Sequence, residues 1–178
     1  EPARRFRQRE RIGYVPQKAV LFSGSIADNI RYGKADASDE EVRRAAETAQ
    51  ALEFIMQMEG GFEAKVAQGG ANLSGGQKQR LSIARALVRK PGIYVFDDSF
   101  SALDYKTDAK LRQALRQETG GAAVLIVAQR VSTVMNADRI IVMENGRVVG
   151  DGTHAELLQN NAVYREIVAS QLSEEEIA

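Results

Sequence analysis

The 178-residue sequence has no cysteine, which excludes a disulfide framework and a thiolate zinc site and fits a reducing compartment. It has no net charge, 24 Lys and Arg balancing 24 Asp and Glu. No overall field therefore draws the chain to nucleic acid or to an anionic membrane, and any phosphate it binds must be recognised locally. It has no apolar run long enough to span a bilayer: stretches such as "AAVLIVA" are far too short, and the basic opening "EPARRFRQRERIG" carries no apolar signal segment. These absences read as a cytosolic chain, neither secreted nor membrane-spanning by itself. There is no internal repeat and no low-complexity linker, and the length suits one domain, with or without a small subdomain.

What is present is a change of periodicity along the chain. "IGYVP" reads as a short strand entering a proline turn, and "SGSIADNIRYG" as a short helix ended by Gly33. Ser38 and Glu41 form a capping-box pair before Val42, Ala45, Ala46, Ala49 and Leu52, which share one helical face. The glycine-rich "GGFEAKVAQGGANLSGG" has no clean period and predicts a shaped loop. Ser74 and Gln77 make a second capping box, Leu81, Ala84, Leu87 and Val88 follow at helical spacing, and Lys90-Pro91 closes that helix. "IYVFDD" and "VLIVAQ" are apolar without alternation, the pattern of strands buried on both faces of a parallel sheet. Between them "TDAKLRQALRQETGG" supplies a helix with Leu111, Ala114 and Leu115 inward. "RIIVMENGRVVGDG" predicts a hairpin at Asn145-Gly146, and Thr153 and Glu156 cap a last helix through Leu157, Leu158, Tyr164, Ile167 and Val168. The sum is an α/β fold with a mostly parallel sheet, preceded by an α-helical insert.

Two places carry chemistry. A helix opening on Ser74, Gly75 and Gly76 offers bare N–H groups, a positive dipole end and a hydroxyl, with no Cβ to keep a phosphate away. Alone, the tripeptide fits equally well a helix start that needed a flexible entry. The strand "IYVFDD" ends in paired carboxylates, at the C-terminal strand end where ligands of open α/β sheets collect. Asp97 can hold Mg²⁺ there, directly or through water.

The string "LSGGQKQRLSIARAL" closely resembles the signature motif of ATP-binding cassette (ABC) proteins, and "FDDSFSALD" resembles their Walker B and D-loop at the expected distance beyond it. Gln17 in "GYVPQ" matches the Q-loop, and the matching motifs span residues 12 to 153. The resemblance implies a P-loop NTPase-like ATPase core with an inserted helical subdomain, acting with ATP and Mg²⁺. It implies ATP contacts from Gln17, Leu73, Ser74, Gly75, Gly76, Gln77, Ser101, Ala102, Leu103 and Asp104, metal contacts from Asp97 and Gln17, and catalytic positions at Asp98 and Gln129. "VPQKAVLFSGSIADNIRYG" looks like the exporter type, in which this segment meets the coupling helices of transmembrane domains. Location is then expected at the cytoplasmic face of a cell membrane, the bacterial plasma membrane. A DNA-repair type of ABC ATPase would want a basic groove and long heptad stretches, and neither is present.

The departures from the family pattern shape the expectation. ATPases of this family carry Glu after the Walker B Asp, whereas here it is Asp98, one methylene shorter. The switch histidine is replaced by Gln129, which can donate a hydrogen bond but cannot carry positive charge. "AKVAQGG" lacks the acidic residue that many exporters have before the signature, and His154, the single histidine, suggests only a capping role at the last helix. With the signature intact, this combination resembles one subunit of a heterodimeric exporter with unequal ATP sites: its own site weak, its "LSGGQ" completing the partner's. A non-hydrolysing binding module is the alternative. The P-loop and the adenine-stacking segment would precede residue 1, so the chain is expected to be the C-terminal portion of a nucleotide-binding domain, inactive when isolated, with an incomplete sheet. The expected division is 1–16 as the remnant of the N-terminal core part, 17–90 as Q-loop and helical subdomain, 91–172 as ATPase core, and 173–178 as a disordered tail.

Overall fold

The computed structural model describes residues 11–171, so the expected tail at 173–178 and most of segment 1–16 lie outside the described residues. The described residues group into two compact units that meet in the chain at Val127 and Ala128. No helix among them is long and apolar enough to cross a membrane.

The first unit carries, in chain order, β1 (Ile12–Val15), β2 (Gly24–Ser25), α1 (Ile26–Arg31), α2 (Asp39–Thr48), α3 (Leu52–Gln57), β3 (Lys65–Val66), α4 (Gly75–Val88), β4 (Ile93–Asp97), α5 (Tyr105–Glu118) and β5 (Ala123–Val127). Strands β1, β4 and β5 form one sheet in the order β1-β4-β5. Both pairings are parallel, with Val15 opposite Phe96 and Asp97 opposite Val127. Parallel pairing brings the three C-terminal strand ends to one edge, and this places the candidate site.

The capping signals produce the helices they predict. Ser38 with Glu41 starts α2 and Ser74 with Gln77 starts α4, each by a reciprocal capping box, and Ser25 with Asp28 forms a further box at α1 that the sequence reading does not name. The α2 face expected to reach Leu52 stops short. The backbone turns at Gln50 (φ 56°), and Leu52 opens the separate helix α3, which buries Phe54 and Ile55. The segment expected to be a loop contains 3₁₀ turns at Gly61–Glu63 and Gln68–Gly70 and strand β3, paired antiparallel with β2. Helix α5 begins at Tyr105, capped by Asp104, and buries Leu111 and Leu115 while Ala114 is half-buried. The core of this unit includes Ile26, Ile30, Ile55, Leu81, Ile83, Phe96 and Leu111, all fully buried; full burial of one such side chain contributes roughly 1.5–3 kcal/mol.

The apolar runs predict strands covered on both faces, and both strands correct that expectation. In β4 only Tyr94 and Phe96 are buried while Val95 is half-buried and Ile93 is 41% exposed, and in β5 Val124, Leu125 and Val127 are 42%, 57% and 51% exposed. Among the described strands β5 is hydrogen-bonded to β4 alone, so it ends the sheet with an apolar edge.

The second unit carries α6 (Val131–Val134), β6 (Ile140–Glu144), β7 (Arg147–Gly152), α7 (His154–Asn160) and α8 (Ala162–Ala169). Strands β6 and β7 are antiparallel and joined at Asn145-Gly146, both in the left-handed region (φ 48° and 75°), as a tight hairpin turn needs. The last helix, expected to be continuous, divides at Asn161 (φ −123°), whose side chain caps α8. The cap of α7 is Thr153 and not His154; the His154 Nδ1 lies 2.7 Å from the Tyr164 hydroxyl. Val131, Ile140, Val142, Leu157, Tyr164 and Val168 form this unit's core.

Candidate functional site

At the C-terminal edge of the sheet the chain leaves β4 through Asp97, Asp98 and Ser99. Asp98 has φ 43°, a left-handed conformation that Asp tolerates better than most residues. Its N–H donates to the Val127 carbonyl at 2.8 Å, and its carbonyl accepts from the Ser101 hydroxyl at 2.8 Å. Ser99 is fully buried and its hydroxyl donates to the Val15 carbonyl at 2.9 Å, tying the exit of β4 to the end of β1. With the backbone so fixed, the carboxylates face the loop after β1. Gln17 Nε2 donates to Asp98 Oδ2 at 3.2 Å, and the Tyr14 hydroxyl donates to Asp97 Oδ2 at 2.9 Å.

The donors at this edge are hard oxygens: two half-buried carboxylates and the Gln17 amide oxygen, which no described hydrogen bond engages. That set fits Mg²⁺, which takes one or two carboxylates and completes its shell with water and substrate phosphates. No group of three or more His, Cys, Asp or Glu side chains among the described residues forms a cage for a metal ion.

The signature residues are arranged separately. Leu73 is buried and anchors the loop, while Ser74 and Gly75 are exposed at the start of α4. The Ser74 hydroxyl accepts from the Gln77 N–H at 3.2 Å, and Gln77 Oε1 accepts from the Ser74 N–H at 2.9 Å. Gly76 is packed against the D-loop: a Cβ there would lie 3.2 Å from the Ala102 carbonyl oxygen and 3.7 Å from Leu103. Ser101 and Ala102 are exposed, Leu103 is buried, and Asp104 accepts from the Thr107 N–H at 2.9 Å. Hydrogen bonding from Thr107, side chain first and then backbone, holds the Asp104 carboxyl below its ordinary 3.8. The structure thus joins signature to D-loop through Gly76 and Ala102, and joins Gln17 to Asp98. Gln129 belongs to the second unit, where its side chain is exposed and its carbonyl accepts from Gln171 Nε2 at 2.8 Å.

Several supporting residues escape the sequence reading. Gln79 is buried and donates to the Pro16 carbonyl at 3.0 Å, fixing α4 to the start of the Q-loop. Arg85 donates to the Asn29 carbonyl, Asn29 Oδ1 and the Val20 carbonyl at 2.8 to 3.0 Å. Its guanidinium also lies 5.2 Å from the Phe22 ring and 5.5 Å from the Tyr32 ring. Burial lowers the Arg85 pKa from its ordinary value. The only hint in the sequence is an arginine on the inward side of an otherwise apolar helix face. A cavity of about 280 Å³ lined by Glu41, Arg44, Tyr94 and Glu118 lies at the opposite, N-terminal end of β4 and takes no part in this site.

Comparison with known proteins identifies the family. A family model of ABC transporters matches residues 2–101. The chain belongs to the ABC transporter family. It is 50% identical over 163 residues to an uncharacterized ABC transporter ATP-binding protein of Mycobacterium tuberculosis, covering 90% of this chain and 28% of that protein. It is 48% identical to the uncharacterized ABC transporter ATP-binding protein YfiB of Bacillus subtilis, covering 94% of this chain and 29% of that protein. The solved structure of a bacterial Atm1-family ABC exporter with ATP bound superposes with a TM-score of 0.90 at 39% identity, covering 93% of this chain and 29% of the exporter. The chain therefore spans under a third of the length of these relatives. Its α/β fold is that of an ABC nucleotide-binding domain homologous to exporter ATP-binding proteins.

Proposed function

We propose that this chain is part of the ATPase module of an exporter-type ABC transporter, that its own catalytic position is degenerate, and that its signature completes the ATP site of a second, unlike nucleotide-binding subunit. The observation that carries the reading is Asp98, which stands where the catalytic glutamate is expected and has its carboxylate engaged by Gln17. A base one methylene shorter holds an attacking water farther from the γ-phosphate, and in-line phosphoryl transfer depends steeply on that placement. Gln129 can donate to a phosphate oxygen but adds no charge to offset that loss. Ser74 and Gly75, by contrast, leave the N-terminus of a 14-residue helix open to an incoming anion.

In this reading Asp97, with Gln17, holds Mg²⁺ at the strand edge, and the ion neutralises phosphate charge when nucleotide is bound. Ser101 to Asp104 and the signature contact nucleotide across the dimer, transmembrane domains dock through coupling helices, and nucleic acid is not a partner. The assembly works at the cytoplasmic face of a membrane. Residues 1–178 contain no Gly-rich Walker A sequence, so these residues alone are expected not to turn over ATP.

The test is steady-state ATPase activity of the assembled transporter. Ser74→Arg should lower it by about two to three orders of magnitude, the cost of losing a well-placed electrostatic contact in a working site. Asp98→Asn should leave most of the rate. Equal, near-total loss in both variants would establish Asp98 as a working base and end the unequal-site reading.

A further inference from the structure

Tyr14 is 55% exposed on a strand whose neighbouring residues Gly13 and Val15 are buried, so its ring is not there to fill the core. The sheet register explains where its hydroxyl goes. Tyr14 stands opposite Val95, and Asp97, two residues on, leaves the same face of the sheet. A diagonal neighbour on the adjacent strand is within reach of a long aromatic side chain. The Tyr14 hydroxyl accordingly donates to Asp97 Oδ2 at 2.9 Å across 83 residues of sequence.

From this contact we infer that Tyr14 is a positioning residue for the divalent cation: it fixes the rotation of the Asp97 carboxylate, occupying Oδ2 so that Oδ1 is presented to the metal. The inference rests on the reading of Asp97 as a cation ligand. Carboxylates that bind metals are themselves oriented by hydrogen bonds, and removing such an outer partner typically weakens metal binding about 10- to 100-fold. The phenol suits the task because it donates without bringing a positive charge that would repel the ion. Phenylalanine would keep the ring and lose only the donor, which makes the role separable from packing.

The experiment is a Mn²⁺ titration of the assembled transporter, followed by electron paramagnetic resonance at saturating non-hydrolysable ATP analogue. Tyr14→Phe should raise the Mn²⁺ Kd at this subunit's site about tenfold or more, while affinity for the same nucleotide in EDTA stays within twofold. Asp97→Asn should raise the Mn²⁺ Kd at least as far. The double variant should be no weaker than Asp97→Asn alone, because the hydroxyl acts only through that carboxylate. If Asp97→Asn weakens Mn²⁺ binding and Tyr14→Phe does not, the positioning role is wrong and the metal-ligand reading survives. If neither variant alters it, the reading of Asp97 as ligand fails, and the role of Tyr14 fails with it.

Discussion

The two halves of the candidate site are built by opposite means. The opening of α4 is made locally: Ser74 and Gln77 satisfy each other within one helical turn, at 3.2 and 2.9 Å. The exit of β4 is made at long range: Asp98 is held by Gln17 across 81 residues, Asp97 by Tyr14 across 83, and Ser99 by Val15 across 84. A locally encoded anion site can keep its form while neighbouring regions change. A site assembled from three strands changes character with a single side chain, and on the proposed reading it is the long-range half that is degenerate, at Asp98.

The sharpest way to break the contrast is to restore the long-range half. Asp98→Glu should raise turnover at this subunit's site by about tenfold or more, within the roughly 10² to 10⁴ that a positioned base contributes. Single-turnover kinetics with the partner's site disabled would read it, and an unchanged or lower rate would mean that the strand edge does not limit catalysis. Next in size is Arg85→Ala, which removes three hydrogen bonds from a largely buried guanidinium. It should destabilise the domain by about 3 kcal/mol, seen as a lower unfolding midpoint, although Arg85 is far along α4 from the signature. Ser99→Ala should cost about 1 kcal/mol, since one hydroxyl is lost and the Val15 carbonyl is left to find another donor.

The smallest effect concerns locally made caps at other helices, and pH reads it. The Asp28 and Glu156 carboxyls are held below their ordinary 3.8 and 4.5, chiefly by backbone N–H donors at Ser25 and Thr153, and Glu41 is held below 4.5 chiefly by Lys34. A lowered folded-state pKa stabilises above the unfolded value and is lost as pH falls through the folded one. Melting temperature should therefore be flat with respect to these groups from neutrality to about pH 4.5 and fall below it. Glu41→Gln should reduce that acid slope; an unchanged slope would mean that the cap contributes nothing to the pH dependence.

The same contrast explains what the sequence made legible. The reciprocal caps at Ser38, Ser74 and Thr153 were readable, because the partners are three residues apart and the pairing depends on little else; the one at Ser25, closed by Asp28 rather than Glu or Gln, was not. The Asn145-Gly146 hairpin was readable for the same reason. The break at Gln50 and the division at Asn161 were not, since apolar spacing continues across both and only the backbone dihedrals record the turn. The exposure of β5 was hidden too: a run of aliphatic residues states what a strand prefers and cannot state what covers it. At the site, residue types pointed to Asp97 and Ser74, whereas Tyr14, Gln79 and Arg85 act through partners that only the folded register brings near.

Arg85 also ties α4 to an exposed aromatic pair. Its guanidinium lies beside the rings of Phe22 and Tyr32, which are 42% and 69% exposed and have centroids 4.5 Å apart. Ser74 lies eleven residues earlier on the same helix, about 16 Å away at 1.5 Å per residue. The exposed aromatic pair and the opening at Ser74 therefore lie near opposite ends of one 14-residue helix.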